Sequence, residues 1–394
     1  MTINCWRKYA AWALLASSAS SFGQMRGVAV ENIDRKADPC ADFDAYANGQ
    51  WRATHPMPAI QVTWAVRSIT QDETRARLRS IAEEDAGKAE GLAKGSPGQL
   101  TGDFYGACMD EARTNELGLK PLEPLLKAVD GVRDAKGLSA ERIALEQVGI
   151  AAPMGIQAAQ DLHATTHMIA EVEVAGLGMP DRDFYLREEA RFTGVREAYV
   201  AYVRKMFGLA GVGEGEAEKA AAAVMKIETA LAGAGLSRVE LRDPKVQDHP
   251  VSFAELKGMA PHVDWEAEFK ALGVTTEGRI NVPQPKLLAA FDGLLGTASM
   301  EEWRTYLRWH VLNEEAAYLA NPFETTRFGF YGTTLTGAKE QRPRWQRCVI
   351  ATDSLLGEAL GHEYVDRYLP PEAKARARTM AVNIVNELKL SIQS

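Results

Sequence analysis

Apolar positions along this chain recur with a helical period far more often than with an extended one. In ARFTGVREAYVAYVRKMFG, Phe192, Val195, Tyr199, Tyr202 and Met206 fall three and four residues apart, which places them on one face of a helix. Trp303, Tyr306, Leu307, His310 and Val311 form a second stripe, and Leu100, Phe104 and Cys108 a third, spaced by four. Stripes of this kind are the buried sides of helices, so each is assigned to core. Helix starts are marked by Ser or Thr with Glu three residues on, a reciprocal cap for free backbone N–H groups. Thr70/Glu73, Ser252/Glu255 and Ser299/Glu302 carry that signal. Extended patterns are few. In HMIAEVEVAG, Met168, Ala170, Val172 and Val174 alternate with Ile169, Glu171 and Glu173, and GRINVPQP (278–285) is a short run ended by its prolines. The predicted fold class is mainly α: a multi-helical lobe with a few short strands, around 167–174 and 278–283.

Composition changes this picture little. The chain has 394 residues, 46% hydrophobic and 25% charged, as expected of a globular protein with a large core. The net charge of −8 and the lack of a dense Lys/Arg block argue against nucleic-acid and anionic-membrane partners. No stretch is long and apolar enough to predict a transmembrane segment.

The N-terminus does add something. Arg7 and Lys8 precede the apolar run AAWALLASSA, and small residues follow through Gly23. This fits an export signal over 1–23 and an exported, periplasmic or extracellular location. A mis-assigned start or a loose tail are the alternatives. Removal of the signal takes Cys5 and leaves Cys40, Cys108 and Cys348. That odd number in an exported protein implies a reactive thiol, an intermolecular bond, or a partner outside this chain.

Three pairs invite a metal reading. His163 and His167 stand four apart in HATTH. On a helix they could share a zinc ion, but the threonines and the following alternation favour extended backbone, where they stand too far apart. No glutamate follows His163 to act as base. His362 opens HEYVD, which begins like HExxH but ends in Asp366; an exposed helix face is the simpler account. His310 and Glu314, also four apart, fit a hydrogen bond beside the core. On the residues alone, neither a catalytic nor a metal site is assigned.

Longer phrases carry a resemblance. DPCADFDAYANGQWRATHPMP (38–58), FYGACMDEA (104–112), AGLGMPDRDFYL (175–186), FYGTTLTGAKEQRPRWQRCV (330–349) and LGEALGHEYVDRYLPPEAKARA (356–377) resemble, in order, phrases of the neprilysin and endothelin-converting-enzyme family of zinc metallopeptidases. The resemblance runs from about residue 34 to the end. It implies the N-terminal, mostly helical lid lobe of such an enzyme, with 24–60 a segment that in the family packs on the catalytic domain and 61–394 a helical lobe incomplete at its C-terminus. It places HATTH at a polar turn before a strand. The family's HExxH helix, its downstream zinc-binding glutamate and its substrate-holding Asn-Ala-aromatic sequence have no counterpart here.

Several expectations follow from the resemblance. The family hydrolyses oligopeptides with zinc, held by two His and one Glu, while the lid lobe admits only peptides. This chain alone is expected to bind no zinc and to be inactive, its partner being the catalytic half. Cys108 and Cys348 match a bonded pair; Cys40 matches a cysteine whose partner lies near the family's distant C-terminus. Some members use an arginine after the early proline to meet the substrate, but Thr63 precedes Trp64 here and that contact is not carried over. No substrate-binding residue is assigned. The alternative is a stand-alone lid lobe that captures peptides or a protein without catalysis.

Overall fold

A computed structural model describes residues 29–150 and 153–393; the expected export signal lies outside them. The chain forms two compact units divided in sequence between Pro58 and Ala59. The first holds helix α1 (Phe43–Thr54), whose N-cap is Asp42: its carboxylate accepts from the Ala45 N–H at 2.9 Å. Near its end Trp51 stacks on His55 with ring centroids 4.9 Å apart.

The second unit begins with α2 (Val66–Lys88), α3 (Pro97–Met109), α4 (Glu111–Leu117), α5 (Glu123–Asp130) and α6 (Ala135–Gln147). Strands β1 (Met154–Gln160) and β2 (Met168–Val174) follow, then α7 (Asp183–Leu186), α8 (Ala190–Leu209) and α9 (Glu214–Ala234). Next come β3 (Pro250–Val251), α10 (Phe253–Met259), α11 (Trp265–Ala271), β4 (Ile280–Asn281), α12 (Pro285–Thr297), α13 (Met300–Glu315) and α14 (Asn321–Arg327). A π-helical segment, Phe328–Leu335, leads to α15 (Arg344–Tyr368) and α16 (Pro371–Gln393). The mainly α class with few strands holds.

The sheet order is β1-β2-β4-β3. β1 and β2 form an antiparallel hairpin with Gln160 opposite Met168 and Met154 opposite Val174. β4 joins β2 in parallel and β3 antiparallel. Val172 is the buried residue of β2, in line with the alternation. β1 carries little pattern of its own: of its seven residues only Met154 is buried.

Two caps form as the spacing predicts. The Ser252 hydroxyl accepts from the Glu255 N–H at 3.2 Å, while the Glu255 carboxylate accepts from the Ser252 N–H at 2.7 Å. Ser299 and Glu302 do the same at 3.2 and 2.8 Å. The Thr70 start is corrected. α2 begins a turn earlier, at Val66, where the Ser68 hydroxyl accepts from the Ala65 N–H at 3.2 Å. Thr70 is inside the helix.

The main core gathers α5 to α14. The α13 stripe of Trp303, Tyr306, Leu307, His310 and Val311 is buried throughout, and Tyr199, Tyr202 and Met206 of α8 are buried within the same core. A smaller cluster joins α2, α3 and α15 through Leu78, Ile81, Tyr105, Val349 and Leu360. Here the stripe assigned to α3 is corrected. Its buried face is Gly98, Thr101, Gly102 and Tyr105, while Leu100 is exposed. A Cβ on Gly102 would stand 2.5 Å from the Asp85 carbonyl oxygen. α3 therefore meets α2 backbone to backbone at Gly102, with Tyr105 buried on the same face and Leu100 turned away.

Candidate functional site

The histidine pairs separate on inspection. HATTH is the tight loop of the β1–β2 hairpin rather than extended backbone. Asp161 N–H donates to the His167 carbonyl at 3.0 Å, and His167 N–H to the Ala164 carbonyl at 2.8 Å. These turns win over the threonines' extended preference because the hairpin must reverse here. His163 Nε2 faces the Asp248 carboxylate at 2.8 Å, while His167 Nδ1 meets the Thr166 hydroxyl at 3.2 Å. The two imidazoles thus have separate partners. His310 Nδ1 lies 3.4 Å from Glu314, and His362 Nδ1 lies 3.5 Å from Asp366 on an exposed helix face. Among the described residues, no group of three or more His, Cys, Asp or Glu stands ready to hold a metal ion.

Sequence reasoning missed a buried carboxylate. Glu228, on α9, is fully buried and accepts from the Tyr185 hydroxyl at 2.7 Å and the Tyr199 hydroxyl at 2.9 Å. The Gly178 N–H donates to it as well. Burial pushes this carboxyl up to about 7, although those hydrogen bonds favour its charged form. Burial and the neighbouring carboxylate raise both tyrosines far above their usual range. The network clamps the loop between β2 and α7. Tyr185 Oη accepts from the Met179 N–H at 2.9 Å, Tyr306 donates to the Gly176 carbonyl at 2.6 Å, and Tyr331 to the Gly178 carbonyl at 2.9 Å. A Cβ on Gly178 would fall 1.8 Å from the Tyr199 hydroxyl, so only glycine fits. The sequence clue was an acid, Glu228, set on the apolar side of α9 among Val224, Ile227 and Leu231, where only a partnered acid is tolerated.

A second region surrounds a disulfide. Cys108 of α3 and Cys348 of α15 are joined across a separation of 240 residues, their Cα atoms 5.7 Å apart. Cys40 is free and exposed. Beside the disulfide lies a cleft of about 750 Å³, lined in part by Phe104, Tyr318, Arg327, Arg344, Arg347 and Leu355. Arg347 and Glu324 pair through two contacts, one of them 3.0 Å from Nη2 to Oε2. Arg344 donates to the Cys108 carbonyl at 2.8 Å. Arg327 lies over the Tyr331 ring, 5.0 Å from its centroid.

Residues 39–394 match the profile for the N-terminal domain described as "Peptidase family M13". The chain belongs to peptidase family M13. Human endothelin-converting enzyme 1 is 25% identical over 376 residues, which is 92% of this chain and 47% of that protein. Neprilysin-3 of Drosophila melanogaster is 24% identical over 386 residues, 93% of this chain and 48% of that protein. The crystal structure of Mycobacterium tuberculosis zinc metalloprotease Zmp1 in complex with an inhibitor superposes with a TM-score of 0.85 at 30% identity, covering 93% of this chain and 55% of that one. PepO from Lactobacillus rhamnosis HN001 shares the fold, with a TM-score of 0.76 at 19% identity. The chain spans about half the length of the curated relatives it matches.

The M13 phrases now have physical content. AGLGMPDRDFYL is the loop clamped by Glu228, with Tyr185 at its end. FYGTTLTGAKEQRPRWQRCV runs from the π-helical segment to Arg344, Arg347 and Cys348 at the cleft. The described residues of this M13 chain do not fit a zinc site, since no pair of histidines converges with a third ligand. None of the helices among them is long and apolar enough to cross a membrane.

Proposed function

We propose that these residues form the non-catalytic lobe of an exported, neprilysin-like zinc endopeptidase. The lobe walls the substrate cleft and restricts entry to oligopeptides. Zinc and the hydrolytic groups are supplied by a catalytic portion outside these 394 residues, and this chain alone binds no zinc and cleaves nothing. Residues 1–23 are its export signal. The carrying observation is the shape of the family match, which covers nearly all of this chain but only about half of endothelin-converting enzyme 1 and of Neprilysin-3. HExxH is missing from the sequence, the nearest approach being His362 to Asp366. The bare apolar stripe of α16, with Met380, Ile384 and Leu388 exposed, supports a lobe that packs on a further body. The disulfide supports export, since such bonds persist in oxidising compartments.

The test is direct. Purified oxidised chain is expected to contain no stoichiometric zinc by atomic absorption and to leave a panel of oligopeptides uncut. One zinc per chain with chelator-sensitive cleavage would overturn the proposal. Binding without cleavage by the chain alone would favour the competing reading, a stand-alone peptide-capturing lobe, for which the arginine-lined cleft is the supporting feature.

A further inference from the structure

The charges around the cleft beside the disulfide do not cancel. Arg347 is neutralised by Glu324. Glu315, also at the cleft, has its carboxyl raised by burial and by the neighbouring Glu314. Arg344 spends its donors on the Cys108 carbonyl and, at 3.4 Å, the Thr114 hydroxyl. Arg327 remains. Its Nε is buried with no hydrogen-bond partner, and its guanidinium lies over the Tyr331 ring. An unpaired buried donor on a cation is costly, and native proteins rarely leave one without a reason.

Two independent features point the same way. Arg327 is the last residue of α14, directly before the π-helical segment. Such wide turns are rare and gather at functional sites. The cleft wall also carries an apolar part, including Phe104, Val148, Ile350 and Leu355, beside the polar Thr114 and Ser354; Val148 and Leu355 are large hydrophobics left exposed. A volume of about 750 Å³ suits a small ligand or the end of a chain.

We propose that Arg327 anchors a carboxylate in this cleft, and that the ligand is a peptide ending in an apolar residue. The guanidinium meets the terminal carboxylate while the apolar wall takes the last side chain. The ligand class, peptides, rests on the reading above; the site rests on geometry within this chain.

Fluorescence anisotropy of the full oxidised chain tests it. The probe is an N-terminally labelled tetrapeptide ending in leucine, as the free acid and as the amide. The acid is expected to bind about tenfold or more tighter than the amide. Arg327→Gln is expected to erase that difference and Arg327→Lys to keep part of it, both with unchanged circular dichroism. Equal binding of acid and amide, or a preference that survives in Arg327→Gln, overturns the proposal. Inorganic phosphate displacing the probe at concentrations matching the unlabelled acid would overturn the peptide assignment and leave only an anion site. Cleavage of the probe would instead overturn the non-catalytic reading without touching this one.

Discussion

Helices α13 and α16 carry the same kind of pattern and meet opposite fates. Each sets apolar residues three or four apart on one face and charged residues on the other. On α13 the whole stripe is buried, packed into the main core with α5, α8 and α9. On α16 no residue is buried, and Met380, Ile384 and Leu388 are 62%, 60% and 57% exposed. Periodicity selects a helix and the face that prefers to leave water. It does not say what covers that face.

The sharpest way to break the contrast is to empty a position on α13. Trp309 is fully buried, donates to the Tyr199 hydroxyl at 3.1 Å and stands edge-on to Tyr202. Trp309→Ala is expected to cost ~3–5 kcal/mol of unfolding free energy, from lost burial, the cavity left behind and the lost hydrogen bond to the Tyr199 hydroxyl, which keeps its bond to Glu228. Urea denaturation followed by circular dichroism measures it, and a loss below ~1 kcal/mol would make α13 no better held than α16.

A smaller effect should come from Glu228, whose partner Tyr199 meets α13 through Trp309. Its carboxyl rises on folding from 4.5 to about 7. Between those values the folded chain holds a proton that the unfolded chain has released. Stability from this group is therefore full below pH 4.5, falls as the pH rises to 7, and is flat above. The slope amounts to about 3 kcal/mol in all. Urea midpoints of wild type and Glu228→Gln at pH 5, 6, 7 and 8 should differ in slope, the variant being flatter; parallel profiles would refute the account.

The smallest stability effect belongs to α16. Met380→Ser, Ile384→Ser and Leu388→Ser together are expected to change unfolding free energy by no more than about 0.5 kcal/mol per site, as for surface positions. Self-association measured by sedimentation should fall. A large loss of stability would mean that the stripe is covered in solution.

The same contrast explains what could be read without coordinates. The α13 stripe, both Ser/Glu caps and the alternation of β2 were legible because each follows from local geometry repeated over a few residues. The buried face of α3 was not. Helix–helix contact there is made through Gly98 and Gly102, and small residues carry no hydrophobic signal. The start of α2 was misplaced because Ser68 caps from inside the helix. β1 has too few large side chains to alternate. The Glu228 network is a tertiary fact, made by elements far apart in sequence, and the position of Arg327 over Tyr331 depends on a π-helical turn that no sequence pattern marked. The longer family phrases marked the clamped loop and the disulfide region, but not the forces that hold them.

The bond between Cys108 and Cys348 also sets an order of events during synthesis. The small cluster built from α2, α3 and α15 cannot close until α15 has been made, 240 residues after the first cysteine. At ribosomal rates of about 5–20 residues per second, that delay is roughly 10–50 s. Throughout it Cys108 lacks its native partner and shares the nascent chain with Cys40. The main core lies inside the interval and can assemble first. Whether the right pair forms is then a race between that assembly, which brings α15 back to α3, and the mispairing of two cysteines that emerge early and close together.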